Sequence, residues 1–134
     1  MEIKIDDREK NTKLISAIQK QGLILRTERL KTGDYQYKDI LIEAKSIDDF
    51  CSSILDNRLT SQLTRMEAKS KQTFLLVYGK IQDRYTKIHE NCVVGKLVSL
   101  SISHPTKIIW ADNEKQAAFA MKRIFERLTE TPKI

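Results

Sequence analysis

The chain has 134 residues, with 24 Lys and Arg against 18 Asp and Glu for a formal net charge of +6, and it is 40% hydrophobic and 31% charged with only 4 Gly and 2 Pro. That length fits one domain able to bury roughly two thirds of its unfolded surface without a disulfide or metal staple, and the composition excludes a disordered or fibrous chain. The longest apolar runs, such as Phe74 to Val77, fall far short of the ~18–20 residues a bilayer span needs, and Met1-Glu2-Ile3-Lys4 has no signal-peptide form, so neither secretion nor membrane insertion is expected.

Ile3 and Ile5 alternate with charged residues before Asp6-Asp7-Arg8-Glu9, which predicts a short strand ending in an acidic loop. Asn11 or Thr12 caps a helix whose apolar positions Leu14, Ile15 and Ile18 fall at helical spacing, and Gly22 stands at its C-terminal end. A strand from Leu23 to Leu30 follows, then the turn Thr32-Gly33-Asp34, the stretch Tyr35-Gln36-Tyr37, a second turn at Asp39 and the apolar strand Ile40-Leu41-Ile42. The second to fourth strands therefore read as hairpin structure. Ser46, with Asp49 three residues on, opens a helix through Phe50, Ile54 and Leu55, and a second helix is predicted over Leu59 to Lys69.

Thr73 to Tyr78 has the unbroken apolar and β-branched content of a buried strand, stopped by Gly79. Residues 83–103 are helical in length and apolar on more than one face. Lys107 to Ala111 forms a last strand, and Asn113 begins a helix with Ala117, Met121, Ile124, Phe125 and Leu128 on one side. The tail from Thr131 to Ile134 is expected to fray. Strands alternating with helices, with a hairpin among them, predict a three-layer α/β/α sandwich around a mixed central sheet, as one domain over residues 1–134.

Cys51 and Cys92 are far apart and form no CxxC or Cys/His spacing, so no structural zinc or disulfide framework is expected. The excess of positive charge admits a polyanionic partner without proving one. Chemistry is concentrated at Gly33-Asp34 and Glu43-Ala44-Lys45. Asp34 lies at a turn, while Glu43 and Lys45 stand two apart on a strand and so share a face. Two carboxylates with a neighbouring ammonium suit phosphodiester hydrolysis: the carboxylates can hold Mg²⁺, and the ammonium can orient the attacking water or offset charge at phosphorus. A solvated strand face would present the same three letters.

The ordered blocks Ile5-Asp6-Asp7-Arg8-Glu9, Gly33-Asp34-Tyr35, Ile42-Glu43-Ala44-Lys45 with Asp49, and Ser53-Ile54-Leu55-Asp56-Asn57-Arg58-Leu59 with Gln62 resemble the nuclease domain of the XPF-type structure-specific endonucleases. These include the archaeal Hef nuclease and belong to the PD-(D/E)xK, or restriction-endonuclease-like, fold group. The resemblance spans essentially the whole chain.

It implies a Mg²⁺-dependent DNA endonuclease, with Mn²⁺ as a substitute, cutting 3′-flap or fork DNA in repair or replication-fork processing. Asp34, Glu43 and the backbone carbonyl of Ala44 would bind the metal, Asp6 would help hold it or its waters, and Lys45 would be the catalytic lysine. Arg8, Glu9, Asp49, Arg58 and Gln62 match positions that line the family's site, with the arginines on phosphate, and Tyr35 and Tyr37 are candidates for substrate contact. The family's Glu-Arg-Lys is Glu-Ala-Lys here, so one phosphate-facing guanidinium is missing at Ala44 while a backbone ligand survives.

The resemblance also implies a homodimer through the late helices, a cytoplasmic (prokaryotic nucleoid-associated) or nuclear location, and a helicase or sliding clamp as a further candidate partner. The tandem helix-hairpin-helix domain usual in the family is not expected within these residues. Alternatives are a non-catalytic nuclease-like subunit and a Holliday-junction resolvase of the same fold group. His89 and His104 are read as ordinary surface or helix-end residues, Trp110 and Tyr78 as packing, and Asp7 and Asp48 as solvated.

Overall fold

The computed structural model describes residues 1–130; the tail expected to fray, Thr131 to Ile134, lies outside them. Among the described residues, six strands form one mixed sheet in the order β2-β1-β3-β4-β5-β6. These are β1 (Glu2–Asp6), β2 (Ile24–Glu28), β3 (Tyr35–Tyr37), β4 (Ile40–Ser46), β5 (Gln72–Tyr78) and β6 (Lys107–Ala111). The helices are α1 (Thr12–Lys20), α2 (Ile47–Leu55), α3 (Leu59–Lys69), α4 (Glu90–Ser103) and α5 (Glu114–Thr129). α1 and α5 cover one face, packing Leu14, Ile18, Met121 and Phe125 onto Ile3, Ile5, Ile42 and Leu76. α2, α3 and α4 cover the other, where Phe50, Leu63, Met66, Val93 and Leu100 meet Leu41, Leu75 and Val77. The result is the three-layer α/β/α sandwich around a mixed sheet that the residue pattern predicts.

β4 and β5 lie between these two layers and are buried nearly throughout, which is why both read as continuous apolar runs. β1 buries Ile3 and Ile5 on one face, with Asp6 buried at its end, and leaves Glu2 and Lys4 exposed because the second helix layer does not reach them; there Lys4 and Glu28 pair across the open face at 3.5 Å. β3 and β4 form the expected hairpin, with Lys38 at φ 54 in the turn. β2 does not join that hairpin. It pairs with β1 in parallel, because α1 carries the chain back between them, and it stops at Glu28, where Leu30 turns aside to donate its N–H to Asp6 Oδ1 at 2.9 Å.

Residues 83–103 are not one helix. A short 3-10 turn, Ile81–Asp83, leads into a loop held by Arg84, and α4 begins only after His89, whose Nδ1 accepts from the Asn91 N–H. The remaining caps follow the sequence: Asn11 over α1, Ser46 over α2 and Asn113 over α5. His104 ends α4, as expected of a helix-end residue, and Trp110 packs edge-on against Phe50 at 6.1 Å between centroids.

Candidate active site

β4 is the element that builds the site. Its two-residue period sends Glu43 and Lys45 to the α2–α3 face and Ala44 to the opposite one. β3 is short, so β4 runs on beyond it, and Asp34, just ahead of β3, folds into the gap: its N–H donates to the Ile42 carbonyl at 2.9 Å and its Oδ2 accepts the Ala44 N–H at 2.8 Å. A strand residue's N–H and C=O point the same way, so the Ala44 carbonyl opens on the Asp34 side as well.

Asp34, Glu43 and Lys45 thus come together in the wall of a cavity of about 490 Å³. Asp6, Arg8, Glu9, Asp49, Arg58 and Gln62 line the same cavity, so the blocks scattered over the first half of the sequence converge. Lys31, Thr32 and Arg65 line it too, and the sequence reading missed them. Arg65 carried a usable signal. It follows Gln62 by three and Arg58 by seven, which lines up Gln62 and Arg65 on one face of α3 below Arg58 at its N-cap. Lys31 carried none, because its place depends on the contact between Leu30 and Asp6, 24 residues apart.

Asp34 and Glu43 lie close enough in the cavity wall for each carboxyl group to perturb the other. Burial pushes both carboxyl groups up, and for Asp34 the charges of Glu43 and Glu9 push in the same direction. Lys45 opposes the rise at Glu43, followed by the Asp34 carboxyl and, to a smaller extent, Arg65. Glu43 Oε2 is buried without a hydrogen-bond partner. A buried, partly orphaned carboxylate pair facing a polar cavity is a costly arrangement for a protein alone, and a divalent cation relieves both the repulsion and the missing partner. Among the described residues no cluster of three or more His, Cys, Asp or Glu forms, so the donors that fit such an ion are these two carboxylates and the Ala44 carbonyl, with water or substrate oxygen completing the shell.

Asp6, expected to help hold the metal, is committed elsewhere. Its carboxylate accepts from Arg8 Nε at 2.8 Å, Arg8 Nη2 at 3.2 Å, the Arg8 N–H at 3.3 Å and the Leu30 N–H at 2.9 Å. Burial raises the Asp6 pKa and these bonds outweigh it, leaving the group below the ordinary carboxylate range. The structure therefore gives Asp6 to the loop and to Arg8. Tyr35 is also displaced from its expected role: its ring is fully buried in the α1–α5 core and offers no surface to a substrate. Tyr37 packs edge-on against Phe125 at 5.7 Å on the same side. Asp49 lines the cavity with its N–H held by Ser46 Oγ at 3.1 Å, and Glu9 Oε1 accepts from the Asn11 N–H at 3.1 Å. His89 and His104 do not line it.

The chain matches the family model of the ERCC4 domain over residues 5–124. It is 31% identical over 128 residues to a Methanocaldococcus jannaschii protein that carries the provisional name ATP-dependent RNA helicase, covering 95% of this chain and 16% of that one. It is 30% identical over 125 residues to the 3′-flap repair endonuclease Xpf of Saccharolobus solfataricus, covering 91% of this chain and 53% of that one. The chain thus spans about half or less of the length of these relatives. The fold superposes on XPF from Aeropyrum pernix with a TM-score of 0.88 at 23% identity, over 100% of this chain and 65% of that one. On the same protein in complex with DNA the score is 0.81 at 20% identity, over 99% and 68%.

Proposed function

This chain belongs to the ERCC4-domain family, and from that premise we propose that it is a structure-specific DNA endonuclease domain that hydrolyses a phosphodiester bond near the branch of 3′-flap or fork DNA with Mg²⁺, or Mn²⁺ in its place. The observation that carries this reading is the buried Asp34–Glu43 pair with its unpartnered oxygen, beside Lys45, in a cavity whose rim carries Arg8, Lys31, Arg58 and Arg65. A non-catalytic subunit has no use for that costly pair, which favours the enzyme.

Asp34, Glu43 and the Ala44 carbonyl are the groups that would hold the cation. When bound, the cation supplies positive charge to the phosphoryl oxygens and acidifies a bound water. Lys45, buried at the cavity wall and free of any hydrogen bond or ion pair among the described residues, orients the attacking water or neutralises charge developing at phosphorus. Arg8, Arg58, Arg65 and Lys31 grip the flanking phosphates, and Gln62, whose Oε1 is buried without a partner, offers its amide to the same strand. Recognition then rests on backbone charge and shape, with affinity that falls steeply with salt. The DNA complex of the Aeropyrum pernix neighbour supports DNA as the ligand class.

A homodimer fits the far edge of the sheet. Val94, Val98 and Ile102 form an exposed apolar stripe on α4, Phe119 and Leu128 are exposed on α5, and the edge strand β6 lies between these helices. A gel assay on labelled flap, fork, four-way and linear DNAs tests the function. Mg²⁺-dependent cuts near the flap or fork branch, lost in Asp34→Asn and Lys45→Ala, are expected. Cutting that survives both substitutions overturns the site, and a preference for the four-way junction favours the resolvase.

A further inference from the structure

The loop between β5 and α4 presents one aromatic ring to solvent. Tyr85 is 91% exposed, more than any other large hydrophobic residue described. The loop that carries it is nonetheless braced. Arg84 donates from Nη1 to the Ile81 carbonyl at 2.6 Å and from Nε and Nη2 to the Ile88 carbonyl at 2.9 and 2.7 Å, tying the two ends of the loop together. The Tyr85 N–H donates to Asp48 Oδ1 at 2.7 Å. Asp48 stands in the first turn of α2, next to Asp49 in the cavity wall.

The sheet register places this loop on the substrate side. Parallel pairing sets Tyr78 opposite Ser46, so the chain leaves β5 at the end of the sheet where β4 delivers Lys45. Lys80 and Lys87, both exposed, flank the ring within the loop. An exposed ring on a braced loop, with a lysine on each side of it in the chain and beside the proposed phosphodiesterase cavity, has the composition of a single-strand contact: an aromatic face for a base and cations for the adjoining phosphates.

We infer that Tyr85 is a stacking platform for an unpaired nucleobase at the branch of the DNA, with Lys80 and Lys87 on the neighbouring phosphates. The inference rests on the reading of the chain as a branched-DNA nuclease and adds a source of structure specificity to it. A continuous duplex keeps its base faces stacked on one another, whereas a branch exposes one, and stacking on an aromatic ring contributes roughly ten- to hundredfold in affinity.

The test uses the full chain in Ca²⁺, with a flap DNA carrying 2-aminopurine at the first unpaired position and a linear duplex of equal length. Wild-type protein is expected to quench the 2-aminopurine. Tyr85→Ala is expected to lose the quench and to bind the flap about tenfold more weakly, with duplex affinity within twofold, while Tyr85→Trp restores both. Retained quenching and unchanged flap affinity in Tyr85→Ala, with wild-type protein cutting the flap in Mg²⁺, overturn the stacking role alone. Wild-type protein that neither prefers nor cuts the flap overturns the nuclease reading with it.

Discussion

Arg8 and Arg58 stand on the rim of one cavity, and each is held by the aspartate two residues before it. Arg8 Nε meets Asp6 Oδ2 at 2.8 Å and Arg58 Nε meets Asp56 Oδ2 at 2.6 Å, while the backbone N–H of each arginine donates to the same carboxylate at 3.3 and 3.2 Å. Two Asp-x-Arg turns, 50 residues apart, thus aim two planar donors at the same space, with part of their freedom already removed before a phosphate arrives. Arg58→Ala is expected to weaken flap binding and to lower the slope of log affinity against log salt by about 1. Asp56→Ala should weaken binding less and leave that slope in place, because the charge remains while its orientation is lost. Anisotropy titrations at several salt concentrations separate the two.

Asp34→Asn is expected to stabilise the metal-free fold while abolishing cutting. The amide oxygen keeps the bond from the Ala44 N–H, and the repulsion with Glu43 disappears. A gain of about 1 kcal/mol corresponds to a rise of roughly 3–5 °C in melting temperature. A carboxyl whose pKa is raised in the fold holds its proton more tightly there than in the unfolded chain, so metal-free wild-type protein should lose stability as pH rises through that raised value. Mn²⁺ should raise the melting temperature of wild-type protein and leave that of Asp34→Asn unchanged. Calorimetry in the presence and absence of the ion checks both.

At the start of β5, Glu67 accepts from His104 Nδ1 at 2.9 Å and from Thr106 Oγ1 at 2.5 Å, and Thr106 Oγ1 lies 2.8 Å from Thr73 Oγ1. Burial raises the Glu67 pKa, but the bonds from Thr106 and His104 outweigh it and leave the group below the ordinary carboxylate range. A depressed carboxylate contributes stability above its unfolded pKa and loses it as pH falls through the folded value. Glu67→Gln is therefore expected to cost about 1–3 kcal/mol at neutral pH, and the gap to wild type should close on acidification below pH ~4.5. Urea melts at pH 7 and pH 3.5 test this.

Gly79 has φ +118, and a Cβ there would lie 2.7 Å from Ile47 Cγ2. Gly79→Ala should cost about 2–4 kcal/mol from backbone strain and overpacking, roughly 10 °C in melting temperature. In an Ile47→Ala background the cost should shrink but not vanish, since the positive φ remains; a double-mutant cycle reads the difference.

Sedimentation velocity should give twice the chain mass for wild-type protein at micromolar concentration. Val98→Glu with Ile102→Glu is expected to give a monomer with an unchanged circular-dichroism melt, because both side chains are exposed. A monomeric wild type removes the α4 stripe from the interface.

Much of the site was legible because its residues lie in short, local blocks. Glu43 and Lys45 share a strand face by period alone, and Ser46 caps α2 as its spacing to Asp49 predicts. What stayed hidden depends on long-range contacts. Nothing near β2 says that it pairs with β1, since that follows from α1 packing on the sheet, and Lys31 reaches the cavity only because Leu30 is tied to Asp6. Tyr35 misled because proximity to Asp34 in sequence does not fix the face on which a side chain emerges. The break between Ile81 and His89 escaped because no Gly or Pro punctuates the polar run Gln82 to Lys87, and Arg84 closes the loop by bonding backbone carbonyls.

The Glu67–Thr106–Thr73 network sits at the start of β5 and the Asp34–Glu43 pair two register positions further along the same central strands, and they differ in kind. The network has its polar groups partnered; the pair keeps two carboxyl groups and an orphan oxygen together. Local frustration is thus concentrated at the cavity, beside a well-satisfied network on the same strands. Loss-of-function substitutions at the cavity should then tend to fold better than the parent, and substitutions in the Glu67 network should impair folding while leaving the chemistry of the surviving folded molecules intact, so that expression level and specific activity would vary independently across the chain.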